Sequence, residues 1–514
     1  MIGLHAKQSE YLLRLDKPFK IAILGGGTAG WMTALYLNHR WKNKNIKVSL
    51  IESADIGIIG VGEGSTPSLK NFFDDIEIKE SEWMPQCQAT YKVGIRFDNW
   101  STQPGFESYR HPFPSQVDKF SSDLFAKQLH IRRHGIDVEV HPDKFFIQSQ
   151  LAMEKKGPIA PYHFPLENAY GYHFDSGLLG QYLAEIARLR GIGHIQAKVT
   201  DALLNNNGMI STLVTEENTQ INADFFIDCT GFVGFLIQKK LQIPFISFSD
   251  NLFNDSAVVI PTPANKTINS ETVSTALQHG WAWDIPLQHR TGNGYVYSSA
   301  YCDQTSAETE LRKKLNLLDS DIGARHLKMK VGRVSQHWSK NCLAIGLSQG
   351  FIEPLEATAL HLVQATILEF IIQFEKGNFT NQFQSQFNDT INNRFEGVRD
   401  YIVAHYRLNT RTDTQYWLDN ANNPKISESL TRILQSWTGA LGHDIEPEII
   451  QQNIAGYFPV DSWRILLAGY GFFPALDHNH PQQGNIDHTE IENHQAFLKR
   501  CGVNFKTQNA LLIN

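Results

Sequence analysis

The chain has 514 residues, 42% hydrophobic and 19% charged, with a formal net charge of −7. These are ordinary values for a soluble globular protein of two or three structural units. They exclude an electrostatic footprint for nucleic acid or an anionic membrane, and no apolar run approaches the roughly 20 residues of a membrane span. Residues 1–18 carry no continuous apolar segment of the signal-peptide kind, and Cys87, Cys229, Cys302, Cys342 and Cys501 are scattered without a CxxC. A cytoplasmic location with reduced thiols is therefore expected, and, with no HExxH or paired histidines, no metal.

The first element is predicted over Lys20 to Leu24, a short apolar run with the pattern of a buried parallel strand. It ends in Gly25-x-Gly27-x-x-Gly30, with a helix expected from Thr28 through Ala29 to Arg40. Gly25 suits the tight turn, Gly27 the approach of a pyrophosphate, and Gly30 close packing of helix on strand. The helix start offers free N–H groups and the positive end of its dipole to phosphates. A second strand, Val48 to Ile51, ends in Glu52, where an acid is expected to take ribose hydroxyls. Strand, glycine triplet, helix, strand and acid in that order predict a dinucleotide cofactor.

Gly60-Val61-Gly62-Glu63-Gly64-Ser65-Thr66-Pro67 is a glycine-dense turn leading to a helix near Ser68. It suits a backbone lying close to a flat ligand, or a mobile surface loop. Thr90 to Phe97 reads as one strand carrying Lys92 among apolar neighbours, where an edge lysine facing water is the common outcome. His111 and Phe113 follow in a proline-bearing loop. Asp175 is a candidate N-cap for a helix over Ser176 to Arg190. Strands around His194 to Leu204 and Met209 to Thr215 are joined by an Asn-rich hairpin turn. Ala223 to Gly231 is a later strand expected beside the first glycine loop. A strand-rich region spans about 250 to 335, and Trp281 and Trp283, at alternate positions, share one face there. Core packing explains that pair equally well. A strand at Asn341 to Gly346 precedes Glu353-Pro354-Leu355-Glu356 and a long helix through Phe374, and the remainder reads as amphipathic helices, including Phe395 to Tyr406.

Several of these blocks together resemble the flavin-dependent tryptophan halogenase family. The most specific is Trp281-x-Trp283-x-Ile285-Pro286, similar to the WxWxIP signature of these enzymes, supported by GVGEGSTP at 60–67, YKVGIRFDNW at 91–100, HFD at 173–175 and FIEPLEAT at 351–358. The resemblance implies an α/β fold. Its FAD-binding, doubly wound, flavin monooxygenase-like core would cover residues 1–400, with substrate-wall segments at about 80–175 and 250–335, and a mostly helical cap would cover 401–514. It implies FAD supplied as FADH2 by a separate NAD(P)H-dependent flavin reductase, a chloride or bromide ion, a small aromatic, indole-type substrate, and a homodimer as one possible assembly. In the family, reduced FAD, O2 and halide yield hypohalous acid, which travels a tunnel to the substrate, where a lysine positions or captures the halogen and a glutamate assists. Those residues correspond to Lys92 and Glu356.

The carry-over assigns the cofactor to Gly25, Gly27, Thr28, Ala29, Gly30, Glu52, Gly62, Glu63, Gly64 and Leu347. It assigns the halide to Thr358 and Ala359, the substrate to His111, Phe113, Tyr457 and Phe458, and the tunnel wall to Trp281, Trp283 and Pro286. Two departures stand out. Where the family reads Glu-Ser-Thr-Gly, this chain reads Glu356-Ala357-Thr358-Ala359, and Glu446, Pro447 and Asn453 do not repeat the pattern that binds a free amino acid. An aromatic slot is thus retained and recognition of free tryptophan lost. The competing expectations are an aromatic hydroxylase of the same fold, which would transfer oxygen straight to the ring, and a non-catalytic flavin-binding protein.

Overall fold

A computed structural model describes residues 17–53, 62–164, 166–452, 458–478 and 488–512. Its organising layer is a six-stranded sheet, mostly parallel, whose centre is Phe19–Leu24 flanked by Phe225–Asp228 on one side and Ile46–Glu52 on the other. These strands are apolar on both faces because both are covered: the helix Thr28–Arg40 packs on one, and Ala202, Ile210, Leu213, Leu236 and Ile237 pack on the other. The return of Phe225–Asp228 beside the glycine loop is as expected. Gly193–Gln196 instead leaves the expected hairpin and adds to the edge of the parallel sheet beside Ile46–Glu52, while Val199–Leu204 and Ile210–Thr215 pair antiparallel.

The second layer is a seven-stranded sheet containing Gly280–Pro286, Glu271–Leu277 and Gly94–Asp98, the last two parallel and the rest antiparallel. A small third sheet orders Gly62–Gly64, Gly171–Asp175 and Thr90–Lys92. The predicted single strand from Thr90 to Phe97 is therefore two strands in different sheets. They part at Val93, whose N–H donates to the Ser270 carbonyl (2.7 Å) and whose carbonyl accepts from the Phe113 N–H (2.9 Å). Asp175 caps Ser176–Leu189 through the N–H groups of Gly177 and Leu178, as its residue type predicts.

Ala359–Lys376 and the 25-residue helix Gln384–Leu408 pack under the sheets, and the latter carries the chain across residue 400, where the helical cap was expected to begin. One large core joins Trp31, Trp83, Trp281, Phe370, Tyr401 and Trp463, so the helical C-terminal part shares its apolar interior with the sheets. Among the described residues no helix is long and apolar enough to cross a membrane.

Candidate active site

Gly25 sits at φ +118°, a conformation only glycine takes without strain, and a Cβ on Gly30 would meet the Gly25 carbonyl oxygen at 2.0 Å. Around Gly27 the opposite holds, for a Cβ there would meet no atom of the described residues within 4 Å. The space over Gly27 is open to a ligand at the N-terminus of Thr28–Arg40, a helix with no side-chain cap. Glu52 ends its strand with Oε2 over Gly26 and Oε1 2.7 Å from His194 Nε2. Leu347 lies in a short turn that begins at Gly346, and a Cβ there would meet Ala29 at 2.9 Å. On the third sheet, burial pushes the Glu63 carboxyl up to about 7, with a Ser176 hydrogen bond opposing and Asp175 adding to the rise.

Gly62–Gly64 lies beside Lys92, since a Cβ on Gly64 would meet Lys92 Nζ at 3.2 Å. Lys92 does lie on an edge strand, yet it is fully buried. That corrects the water-facing expectation, and one reason is that Gln508, near the C-terminus, donates to the Tyr91 carbonyl (2.6 Å) and covers the edge. Among the described residues the Lys92 ammonium has no hydrogen-bond partner, and it lies 5.5 Å from the centre of the Phe113 ring. Burial pushes it down to about 7, with the charge of Glu356 opposing. Beside it, burial and the Lys92 charge hold His173 well below its ordinary range; Thr90 and Thr272 take its two ring nitrogens.

Glu356 is near enough for its charge to act on the Lys92 amine. Its carboxylate is bracketed by His111 Nδ1, at 3.1 and 3.2 Å from the two oxygens, and by His405 Nε2 at 3.0 Å from Oε1. Burial alone would raise its pKa, but the two imidazoles outweigh it and hold the carboxyl at about 2. His405 is itself pushed down by burial and faces the Tyr470 hydroxyl at 3.1 Å through Nδ1. His405 carried no sequence signal, because one histidine in the apolar run of a core helix reads as packing.

Past Glu356 the chain turns sharply. Ala357 adopts left-handed φ +56°, which costs an ordinary residue roughly 1–2 kcal/mol. Ala359 is simply the first residue of an 18-residue helix, so the glycine it replaces relative to the family pattern is not demanded by the backbone. Thr358 precedes it with a buried Oγ1 that has no partner among the described residues. An unmatched hydroxyl beside the first free N–H groups of a long helix has the chemistry of an anion site.

Phe458 stacks on Tyr401 with ring centres 3.6 Å apart, and Tyr401 lies 6.1 Å from His111. Phe113 thus faces Lys92, His111 holds Glu356, and Phe458 reaches this group only through Tyr401, whereas Tyr457 and Asn453 lie outside the described residues. Glu446 is exposed at the start of a short helix. Trp281 and Trp283 are buried on one face of their strand, ring centres 6.1 Å apart, and the Pro286 carbonyl accepts from Thr90 Oγ1 at 2.7 Å.

The family profile described as "Tryptophan halogenase" matches residues 20–484. The tryptophan 6-halogenase SttH of Streptomyces toxytricini is 34% identical over 511 residues, covering 94% of this chain and 96% of that protein. Its crystal structure superposes with a TM-score of 0.82 at 31% identity, over 96% of this chain and 100% of that one. The 7-chloro-L-tryptophan 6-halogenase KtzR of Kutzneria sp. (strain 744) is 35% identical, covering 87% of this chain and 90% of its own. The structure of Tar14, a tryptophan C-6 flavin-dependent chlorinase from taromycin biosynthesis, gives a TM-score of 0.84 at 33% identity, covering 96% of this chain and 99% of that chain.

Proposed function

Because the chain belongs to the tryptophan halogenase family, we propose that it halogenates an indole-type arene through Lys92 and Glu356. The carrying observation is the fully buried, unpartnered amine of Lys92 beside a carboxylate clamped by two histidines. FAD fits the open, glycine-lined cradle at Gly25–Gly30 with Glu52 beside it. Bound in reduced form with O2 and a halide, it supplies hypohalous acid. Thr358 and the Ala359 N–H are the groups we assign to the halide.

Hypohalous acid is a weak electrophile towards arenes, so it must be held and activated. With its amine at about 7, Lys92 is populated both as an ammonium that hydrogen-bonds the acid and as a free amine that forms a haloamine with loss of water. Glu356, a carboxylate at any working pH, lowers the energy of the cationic ring as the carbon–halogen bond forms, then takes the ring proton. Phe113, Phe458 and His111 orient the ring, and Trp281, Trp283 and Pro286 wall the path from the flavin. The exposure of Glu446 supports an indole without a free amino-acid group.

Mass spectrometry of indole incubated with the protein, FAD, a flavin reductase, NADH and bromide tests this. The expected product gains bromine, and a product gaining oxygen, or none, overturns the proposal. Gly27→Val is expected to fold normally, since no atom of the described residues lies within 4 Å of a Cβ there, and to lose most FAD affinity in a flavin titration. Unchanged affinity would place the cofactor elsewhere.

A further inference from the structure

Two acids flank Pro354, and the reading above uses only Glu356. Glu353 is fully buried. Its Oε2 accepts from the Trp281 indole N–H (2.8 Å), the Tyr406 hydroxyl (2.7 Å) and the Asn254 amide (2.9 Å). Asn254 is fixed in turn, its Oδ1 accepting from the Tyr416 hydroxyl at 2.9 Å. Tyr406 directly follows His405 on Gln384–Leu408, and His405 holds Glu356. Successive helical residues point about 100° apart. One helix therefore grips the Glu353–Glu356 turn at both ends, by Tyr406 before Pro354 and by His405 after it.

We propose that Glu353, held by Trp281, Tyr406 and Asn254, is a positioning residue that together with His405 fixes the Glu356 carboxylate in the site. The inference rests on the proposed role of Glu356. A buried carboxylate is costly to desolvate and is tolerated where its hydrogen bonds fix a geometry. The short turn it anchors is followed at once by left-handed Ala357, so the anchor fixes the backbone from which the Glu356 side chain reaches its two histidines. In this arrangement the motif tryptophan acts through its N–H as well as its bulk, which phenylalanine would supply alone.

The test compares Glu353→Leu, Glu353→Gln and the double variant Trp281→Phe/Tyr406→Phe by crystal structure and by halogenated product per flavin reoxidised. Glutamine keeps an acceptor for the three donors; leucine does not. Displacing a reacting group by about 1 Å can cost on the order of a hundredfold. Glu353→Leu and the double variant are thus expected to lose at least about tenfold in product per flavin, with FAD affinity unchanged and Glu356 moved off its histidines. Glu353→Gln should recover most of that loss. If the double variant keeps the wild-type ratio, with Glu356 still on His111 and His405, the proposal is wrong. That variant also decides the matter if Glu353→Leu does not fold. Should the wild type halogenate nothing, the proposed function falls, while the position of Glu356 in the variant structures still decides the clamp.

Discussion

Lys92→Met is expected to yield no halogenated product while O2 still reoxidises the reduced flavin, and to be the more stable protein. The two halves have one cause. Lys92 is buried with no hydrogen-bond partner among the described residues, and burial drops its amine from an ordinary value near 10.5 to about 7. Across that window the unfolded chain binds a proton that the folded chain does not. Stability therefore rises with pH between about 7 and 10.5, and below 7 the full penalty is present. Each unit of such a shift corresponds to about 1.4 kcal/mol, and methionine fills the same volume without it. Flavin reoxidation precedes halogen transfer and should not need the amine. A lysine serving only to keep an edge strand soluble gives the opposite forecast, with normal halogenation and no gain in stability. Product yield, flavin reoxidation and Tm at pH 7 separate the two, and wild-type product from Lys92→Met would end the mechanism. In the wild type the same amine should give the halogenation rate an inflection near pH 7. A fall below it marks the haloamine route, and a fall above it the ammonium route.

The cofactor half of the site was legible in the sequence because its signals are local. A glycine at φ +118° and a helix start with open space above it need only neighbouring residues to be specified. Lys92 was legible only through the resemblance. Nothing in TYKVGIRF marks the break at Val93, which Ser270 and Phe113 impose from distant parts of the chain. Nor does the strand show that residue 508 covers its edge. His405 and Tyr406 were opaque for a related reason. Both lie in an amphipathic helix whose pattern predicts burial correctly, but burial says nothing of which carboxylate a buried imidazole or phenol meets. The two acids around Pro354 were conspicuous, and only the fold separates their partners.

Glu356→Gln should lower halogenation on the order of a hundred- to ten-thousandfold, the usual cost of losing a placed proton acceptor, with less loss of halide-dependent flavin reoxidation. The amide keeps the shape of the carboxylate and one acceptor oxygen for His111 or His405, so the site should stay assembled. It lacks the negative charge that lowers the energy of the cationic ring, and it cannot take the ring proton. The carboxyl is held at about 2 by its imidazoles against the opposing effect of burial. Its contribution to stability is therefore complete above its ordinary value near 4.5 and fades only as the pH falls towards 2. A wild-type acid limb near pH 4 to 5 would show Glu356 titrating as an ordinary carboxyl, free of the two histidines. Hypohalous acid formed in the Gln variant but not consumed should escape, and monochlorodimedone added to the assay would trap it. Trapped halogen replacing indole product is the expected result. Indole product at the wild-type rate would show that the charge on Glu356 plays no part in the chemistry.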